Sequence, residues 1–316
     1  MDEIFKKEYE TLAKYYESAG ADSRALLSEE YASLVINHDK VLHVNEIEGV
    51  SIKTRKIEDG VEVELTISKE VKLKNPVHLC FGMLPKEGKQ VIRTTIKAEA
   101  GCIAKFLSHC IFPTAIKIEH VMDSKVFIGK NAHIEYEEVH IHGKSGEIQV
   151  VPHAKVFISE GGEYNSTFVV KTGRAGNIDI DYNINLGKDA KSMLLSKIYG
   201  KYDDHIYARE SMYLEGENSK GIIKTRMVLR NKSSSEVVGE VVGIGDLSRG
   251  HVDCTEIIMD NASARASPVV VAKNPKAKVT HEAAIGSVDK KQLITLMARG
   301  LSEEEAIDVI VGGLLK

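Results

Sequence analysis

Cysteine, histidine and glutamate recur towards the C-terminus at spacings suited to a metal. Arg249-Gly250-His251-Val252-Asp253-Cys254 places His251 three residues before Cys254, and His281-Glu282 follows about 27 residues later. In a coiled β-fold, residues a whole turn apart become neighbours. Thiolate, imidazole and carboxylate together suit iron or zinc, and iron–sulfur chemistry is the most sulfur-demanding use of such a set. Taken alone, Cys254 also reads as a buried inert thiol, and His281 as a hydrogen-bonded histidine at a strand end. A second group comprises Cys102, His109, Cys110 and the pair His140-Ile141-His142. Alternation along a strand puts His140 and His142 on one face, a two-ligand geometry for a metal. No C-x-x-C occurs, so a cluster held permanently by four cysteines is not supported, and any cluster is incompletely ligated or shared between chains.

Other motifs nearly form and fail. His142-Gly143-Lys144-Ser145 ends like a phosphate-binding loop, but Glu138 stands where its first glycine is required, so ATP hydrolysis by this chain is not expected. Gly243 to Gly250 holds two glycines of a dinucleotide fingerprint with the third misplaced, and reads as a turn. Ile285 occupies the place of the second histidine that a zinc-protease helix needs after His281-Glu282.

The elements that must position these residues are mostly strands. From about Val41 to Ile285 the hydrophobic period is two, as in Val61 to Ile67, Lys125 to Ile128 and Ile178 to Asn185. A turn residue followed by Ala recurs at Gly129 to Ile134, Pro152 to Val156, Gly187 to Ala190 and Asn274 to Val279. Such short strands fit a sandwich, a barrel or a β-solenoid, and the small residue after each turn favours the solenoid, whose corners are tight. Before this stretch a helix buries Phe5, Tyr9, Leu12, Ala13 and Tyr16 and is stopped by Gly20. A second short helix is expected across Leu26 to Val35, started by Ser28, Glu29 and Glu30. After it, Asp289 caps a helix through Gln292, Leu293, Leu296 and Met297 that Gly300 ends, and Ser302 to Glu305 form a capping box for another, closed by Gly312-Gly313. The resulting division is a helical region at 1–40, a β core at 41–286 and a helical region at 287–316. The last acts as a cap or a docking surface.

Composition is that of an ordinary folded protein: 316 residues, a formal charge of −4, 43% hydrophobic and no Trp. A general nucleic-acid binder is not indicated. Met1 to Glu8 contains neither a basic leader nor an apolar secretion segment, no apolar run reaches the ~18 residues that span a membrane, and the four cysteines are too scattered to staple a secreted fold. A reducing, cytoplasmic compartment is expected, with Cys80 and Cys102 as core thiols.

The stretches Ser248 to Cys254, Ala264 to Pro268, Thr280 to Ala283 and Ala298 to Ala306 resemble the SufB/SufD family of iron–sulfur cluster assembly proteins. The likeness is strong over about residues 230 to 316. It is weaker from about residue 95, where His109-Cys110-Ile111-Phe112-Pro113 is similar to a Gly-Cys-Thr-Ala-Pro segment of the family. Cys254 and His281-Glu282 give it the look of the SufB type. The resemblance implies a right-handed parallel β-helix core with helical ends, dimerisation through that core, and docking of the ABC-type ATPase SufC on the C-terminal helices. It implies a scaffold rather than an enzyme, carrying a transient iron–sulfur cluster. Cys254 and Glu282 match proposed cluster ligands, His281 and His251 lie in the same segments, and Cys110 matches the cysteine proposed to receive sulfur. His140-Ile141-His142 stands where bacterial SufB has Gln-Asn-Trp, so the internal sulfur route is altered there and the two imidazoles become candidate metal ligands. The implied assembly is a homodimer with two ATPase subunits, delivering clusters to acceptor apoproteins. Two readings compete: a SufD-like structural subunit without a cluster, disfavoured by Cys254 and Glu282, and a polysaccharide-binding β-helix, disfavoured by the absence of Trp.

Overall fold

The computed structural model describes residues 3–18 and 22–316, with side chains from Lys6 onward. Met1, Asp2 and Gly20, and the side chain of Phe5, lie outside the described residues. The chain winds into a β-solenoid of about eight turns. From Gly60–Ile67 onward, successive strands join opposite sheets, giving one sheet of ten strands and one of nine. Each strand pairs in parallel with the strand one full turn away. Val150 pairs with Ile178, Ile118 with Ile148 and Cys254 with Ala283, steps of 28, 30 and 29 residues. Alternation sends every second side chain into one continuous apolar core between the sheets, which includes Phe106, Ile134, Phe168, Ile198 and Met227.

Corners are made by a residue with left-handed backbone followed by a small buried one. Asn131, Asp189 and Asn218 have φ of 54°, 55° and 57°, and Ala132, Ala190 and Ser219 behind them are essentially inaccessible. Short polar side chains tolerate that backbone, and stacked bonds such as Asp189 N–H to Glu217 O, 2.8 Å, satisfy it from turn to turn. Cys102, fully buried after the left-handed Gly101, fills the same corner position. The fragment Pro152 to Val156 does not make a corner: it runs inside the strand Glu147–Ile158.

The two ends differ. At the start, the antiparallel hairpins of Ser33–Asn37 with Lys40–Asn45 and of Val50–Ile57 with Gly60–Ile67 close the sheets. The helix Glu3–Ser18 lies across the outer face of the larger sheet, packing Tyr9, Leu12 and Tyr16 on Cys80, Ile111 and Ile141. Gly82 permits this contact, since a Cβ there would meet Leu12 Cδ2 at 2.3 Å. The helix expected across Leu26 to Val35 is not formed. A 3-10 turn, Ser23–Leu26, is capped by Asp22, and Ser33–Asn37 is a strand. Leu34 and Ile36 enter the core while Val35 packs under the helix, so both faces are buried and no helical stripe is selected.

At the other end the final strands, Ser263–Ala272 and Lys278–Gly286, have no further turn over them, and His281, Ala283 and Ile285 are exposed on the inward-facing parity. The helices Lys290–Met297 and Glu303–Leu314 fold back beside this end. Asp289 accepts from Gln292 N–H at 2.8 Å, Gly300 has φ of +99°, and the Ser302–Glu305 capping box is formed. Gly312-Gly313 do not close the second helix, which continues through them to Leu314. Val311 and Leu315 pack on Val228, and this tertiary contact offsets the low helix propensity of glycine. Ser302→Ala is expected to cost about 1 kcal/mol locally, read as faster amide exchange in the first turn of that helix with the solenoid amides unchanged. Among the described residues no helix is long and apolar enough to cross a membrane.

Candidate functional site

Cys254 lies on Arg249–Ile258, the last strand but one of the ten-stranded sheet, with its side chain inward and 2% exposed. Its thiol donates to Glu256 Oε1 at 3.7 Å, and Glu256 in turn accepts from Ser235 Oγ. Burial, reinforced by Glu256, pushes the Cys254 thiol far above the ordinary range, and burial also raises Glu256. The register neighbour of Cys254 on the outermost strand is the small residue Ala283, so the thiol lies one strand from the open end.

The turn length decides which expected ligands meet. A step of 29 residues pairs Val252 with His281 and Asp253 with Glu282. His281 therefore shares the inner face with Cys254, two residues along, whereas Glu282 shares the outer face with Asp253. His251 is also on the outer face, where its Nδ1 lies 2.8 Å from Thr280 Oγ1. Asp253 is held by Arg226 Nη1 at 2.9 Å, and this guanidinium keeps the carboxyl below its usual range. The four residues thus divide into an inner pair, Cys254 and His281, and an outer pair, His251 and Glu282.

The second group is deep in the solenoid. Cys110, Glu138 and His140 are buried, with one ligand atom from each within 4.8 Å of the others. His140 Nε2 lies 2.8 Å from Glu138 Oε1, and His140 Nδ1 lies 3.4 Å from His142 Nε2. The far nitrogen of His142, Nδ1, is 2.8 Å from the carbonyl of Arg174. From the opposite sheet, Met122 Sδ sits 3.7 Å from Cys110 Sγ. Burial pushes the Cys110 thiol well up, with Glu138 adding to the effect, and lowers His142 to about 3. His109 points to the other face of its strand, where its ring lies 4.3 Å from that of Tyr16.

Glu138 and Cys254 lie on one inner row, and Cys110 and His140 on the next, which ends at Glu256. In register, Ser108, Glu138, Phe168, Ser196, Thr225 and Cys254 succeed one another through the ten-stranded sheet. The strands of Cys110 and Cys254 are five spacings of ~4.8 Å apart, about 24 Å along the axis. Phe168 interrupts the polar sequence. Beyond it, Glu210 from the nine-stranded sheet accepts from Ser196 Oγ at 2.5 Å and Thr225 Oγ1 at 3.4 Å, and burial raises its carboxyl to about 7.

The family model for the SufBD core domain of SUF-system iron–sulfur cluster assembly matches residues 83–314, a span containing both places. The chain belongs to the SufBD family. An iron–sulfur cluster assembly SufBD family protein of Pyrococcus horikoshii is 36% identical over 309 residues, covering 98% of this chain and 94% of the relative. One from Methanocaldococcus jannaschii is 39% identical over 282 residues, 89% of each chain. A longer SufBD relative from Staphylococcus epidermidis is 26% identical and matched over 54% of its length. The family places the chain in iron–sulfur cluster assembly.

Within this SufBD fold, Glu138, Glu256 and Glu210 were not singled out from the sequence. A signal was present for the first two. Glu138 stands two residues before His140 and Glu256 two after Cys254, which gives each carboxylate the inward parity of its neighbour.

Proposed function

We propose that the chain is a SufB-type scaffold on which iron and sulfide, as cargo, are assembled into clusters at the open end of the solenoid and passed to acceptor apoproteins. The observation that carries this reading is the placement of Cys254 and His281 on one inner face, two register positions apart on the last two strands before an uncovered end. Iron arriving there displaces the thiol proton, and the thiolate holds it firmly while imidazole and carboxylate ligands exchange more readily. One chain offers too few inward ligands to complete a cluster. A second copy seated end to end would supply the rest, with Glu282 and His251 reaching the shared site from the edge strand and its neighbour. Cys110 is the proposed sulfur-receiving thiol, and the row from neighbouring Glu138 to Cys254, broken only by Phe168, is the proposed route. The four cysteines are unpaired, as a cytoplasmic, reducing setting requires. The domain division proposed above, with a solenoid between two helical regions, puts assembly and docking on separate parts.

ATP hydrolysis belongs to a SufC-type ABC ATPase, for which the C-terminal helices are the proposed dock. Ile257, Leu296, Val309, Ile310 and Leu314 line an apolar groove between these helices and the solenoid; Val309 is 52% exposed, and Ile294 on the helix that carries Leu296 is 65% exposed. Ile294→Asp with Val309→Asp is expected to weaken capture of the ATPase at least about tenfold, about 1.4 kcal/mol, with an unchanged circular dichroism spectrum. Undiminished capture would move the dock elsewhere.

A SufD-like structural role is the second reading, favoured by the separation of Glu282 from Cys254 on opposite faces. The deciding experiment is transfer: protein reconstituted anaerobically is mixed with an apo-ferredoxin, and holo-ferredoxin is followed by visible circular dichroism. A scaffold delivers faster than free iron and sulfide at equal concentration. Equal rates would favour the structural role.

A further inference from the structure

We infer that Cys110, Glu138 and His140 form a buried site for one divalent first-row transition-metal ion of borderline softness, held inside the solenoid. This site is distinct from the open end and does not rest on the scaffold reading; the Cys110 sulfur holds either the ion or incoming sulfur, not both at once. Its donors are one thiolate sulfur, one carboxylate oxygen and one imidazole nitrogen, the mixture that zinc and ferrous iron accept. Their atoms already lie within 4.8 Å of one another. A divalent ion bound to a thiolate and a carboxylate leaves no net charge in the core, which answers the cost of burying Glu138 at 4% exposure. Loading expels the thiol proton, and any proton between His140 and Glu138, to water.

Hydrogen bonding around the site points the same way. The Arg174 carbonyl can only accept, so His142 carries its proton on Nδ1. A neutral His142 then presents a bare Nε2, which accepts from His140 Nδ1–H. Neutral His140 is left with its Nε2 lone pair facing Glu138 Oε1 at 2.8 Å. Two lone pairs at that distance require a proton or a cation between them. The Arg174–His142 chain is what normally orients a ligating histidine, which makes His142 a positioning residue rather than the ligand its spacing from His140 suggested.

A separate observation concerns His120 on the opposite sheet. It is fully buried and neither ring nitrogen has a partner. Its ring lies 6.0 Å from that of His140 and 4.7 Å from Phe112. His120 is not among the three donors that already lie within 4.8 Å of one another, but a small approach of this orphaned imidazole would supply the fourth ligand that a tetrahedral ion needs.

The test is anaerobic titration with Co(II), a spectroscopic substitute for zinc or iron, of the full chain carrying Cys254→Ser, so that the open-end thiol contributes no band. One Co(II) per chain is expected, with a thiolate-to-cobalt charge-transfer band and tetrahedral ligand-field bands. Cys110→Ser should abolish the charge-transfer band, and Glu138→Gln should weaken binding. His142→Ala should weaken binding about ten- to a hundredfold while leaving the band position in place. Bound metal should raise the melting temperature of Cys254→Ser but not of the double variant with Cys110→Ser, and equal melting temperatures without metal would show that the double variant folds. No binding by Cys254→Ser would overturn the inference, as would a charge-transfer band that survives the added Cys110→Ser.

Discussion

Cys254→Ser is expected to reduce acid-labile sulfide to background, and bound iron to no more than the one ion per chain that the Cys110 site accepts, while leaving the fold and oligomeric state intact. A serine hydroxyl keeps the bond to Glu256 and is slightly smaller than the thiol, so the buried site closes with little cavity cost. What it cannot do is bind iron as a soft, anionic sulfur ligand. No other cysteine substitutes, because Cys110 is about 24 Å away along the axis. Cys80 lies under the N-terminal helix and Cys102 fills a corner. Iron and sulfide analysis of the two proteins reconstituted side by side decides the point, and a serine variant with wild-type content removes Cys254 from the account.

The second large effect is on stability. Glu210 is fully buried, with its carboxyl raised from 4.5 to about 7 by desolvation, the hydroxyls of Ser196 and Thr225 opposing that rise only in part. Between those two values the folded state holds a proton that the unfolded state has lost, so folding stability falls as pH rises through this window and levels off above about 7. At ~1.4 kcal/mol per unit, the loss is on the order of 3 kcal/mol. Glu210→Gln mimics the protonated acid at every pH. Relative to the wild type, it should gain that amount between about pH 4.5 and pH 8, measured by urea unfolding at both. A difference between the two proteins that does not change with pH would mean that Glu210 is ionised in the fold.

Much of this architecture is legible in the sequence because strands and caps are local. Alternation from Val61 to Ile67 or Ile178 to Asn185 states which side chains face inward, and Asp289, Gly300 and the Ser302–Glu305 box mark the final helices with backbone chemistry confined to a few residues. Helix closure at Gly312-Gly313 and a helix through Val35 were misread because distant partners decide them: Val228 beneath the last helix, and the N-terminal helix over Val35. The candidate site is harder to read for a sharper reason. Whether Glu282 faces Cys254 depends on whether a turn has 28 or 29 residues, and neighbouring turns in this chain differ by that amount, as Glu163 to Lys191 and Lys191 to Lys220 do. One residue exchanges the faces. Spacing within one strand carries no such ambiguity, which is why His140 and His142 could be placed on one face and why Glu138 could have joined them.

The most direct test of the scaffold reading is anaerobic size-exclusion chromatography of the reconstituted wild type, with absorption followed in line and iron and acid-labile sulfide measured across the peak. The account predicts visible absorption coeluting with a homodimer, iron matching sulfide apart from at most one iron per chain at the Cys110 site, and less than one cluster held by any residual monomer. Colourless protein free of iron and sulfide, with or without the ATPase partner, would contradict it and leave a structural subunit in its place.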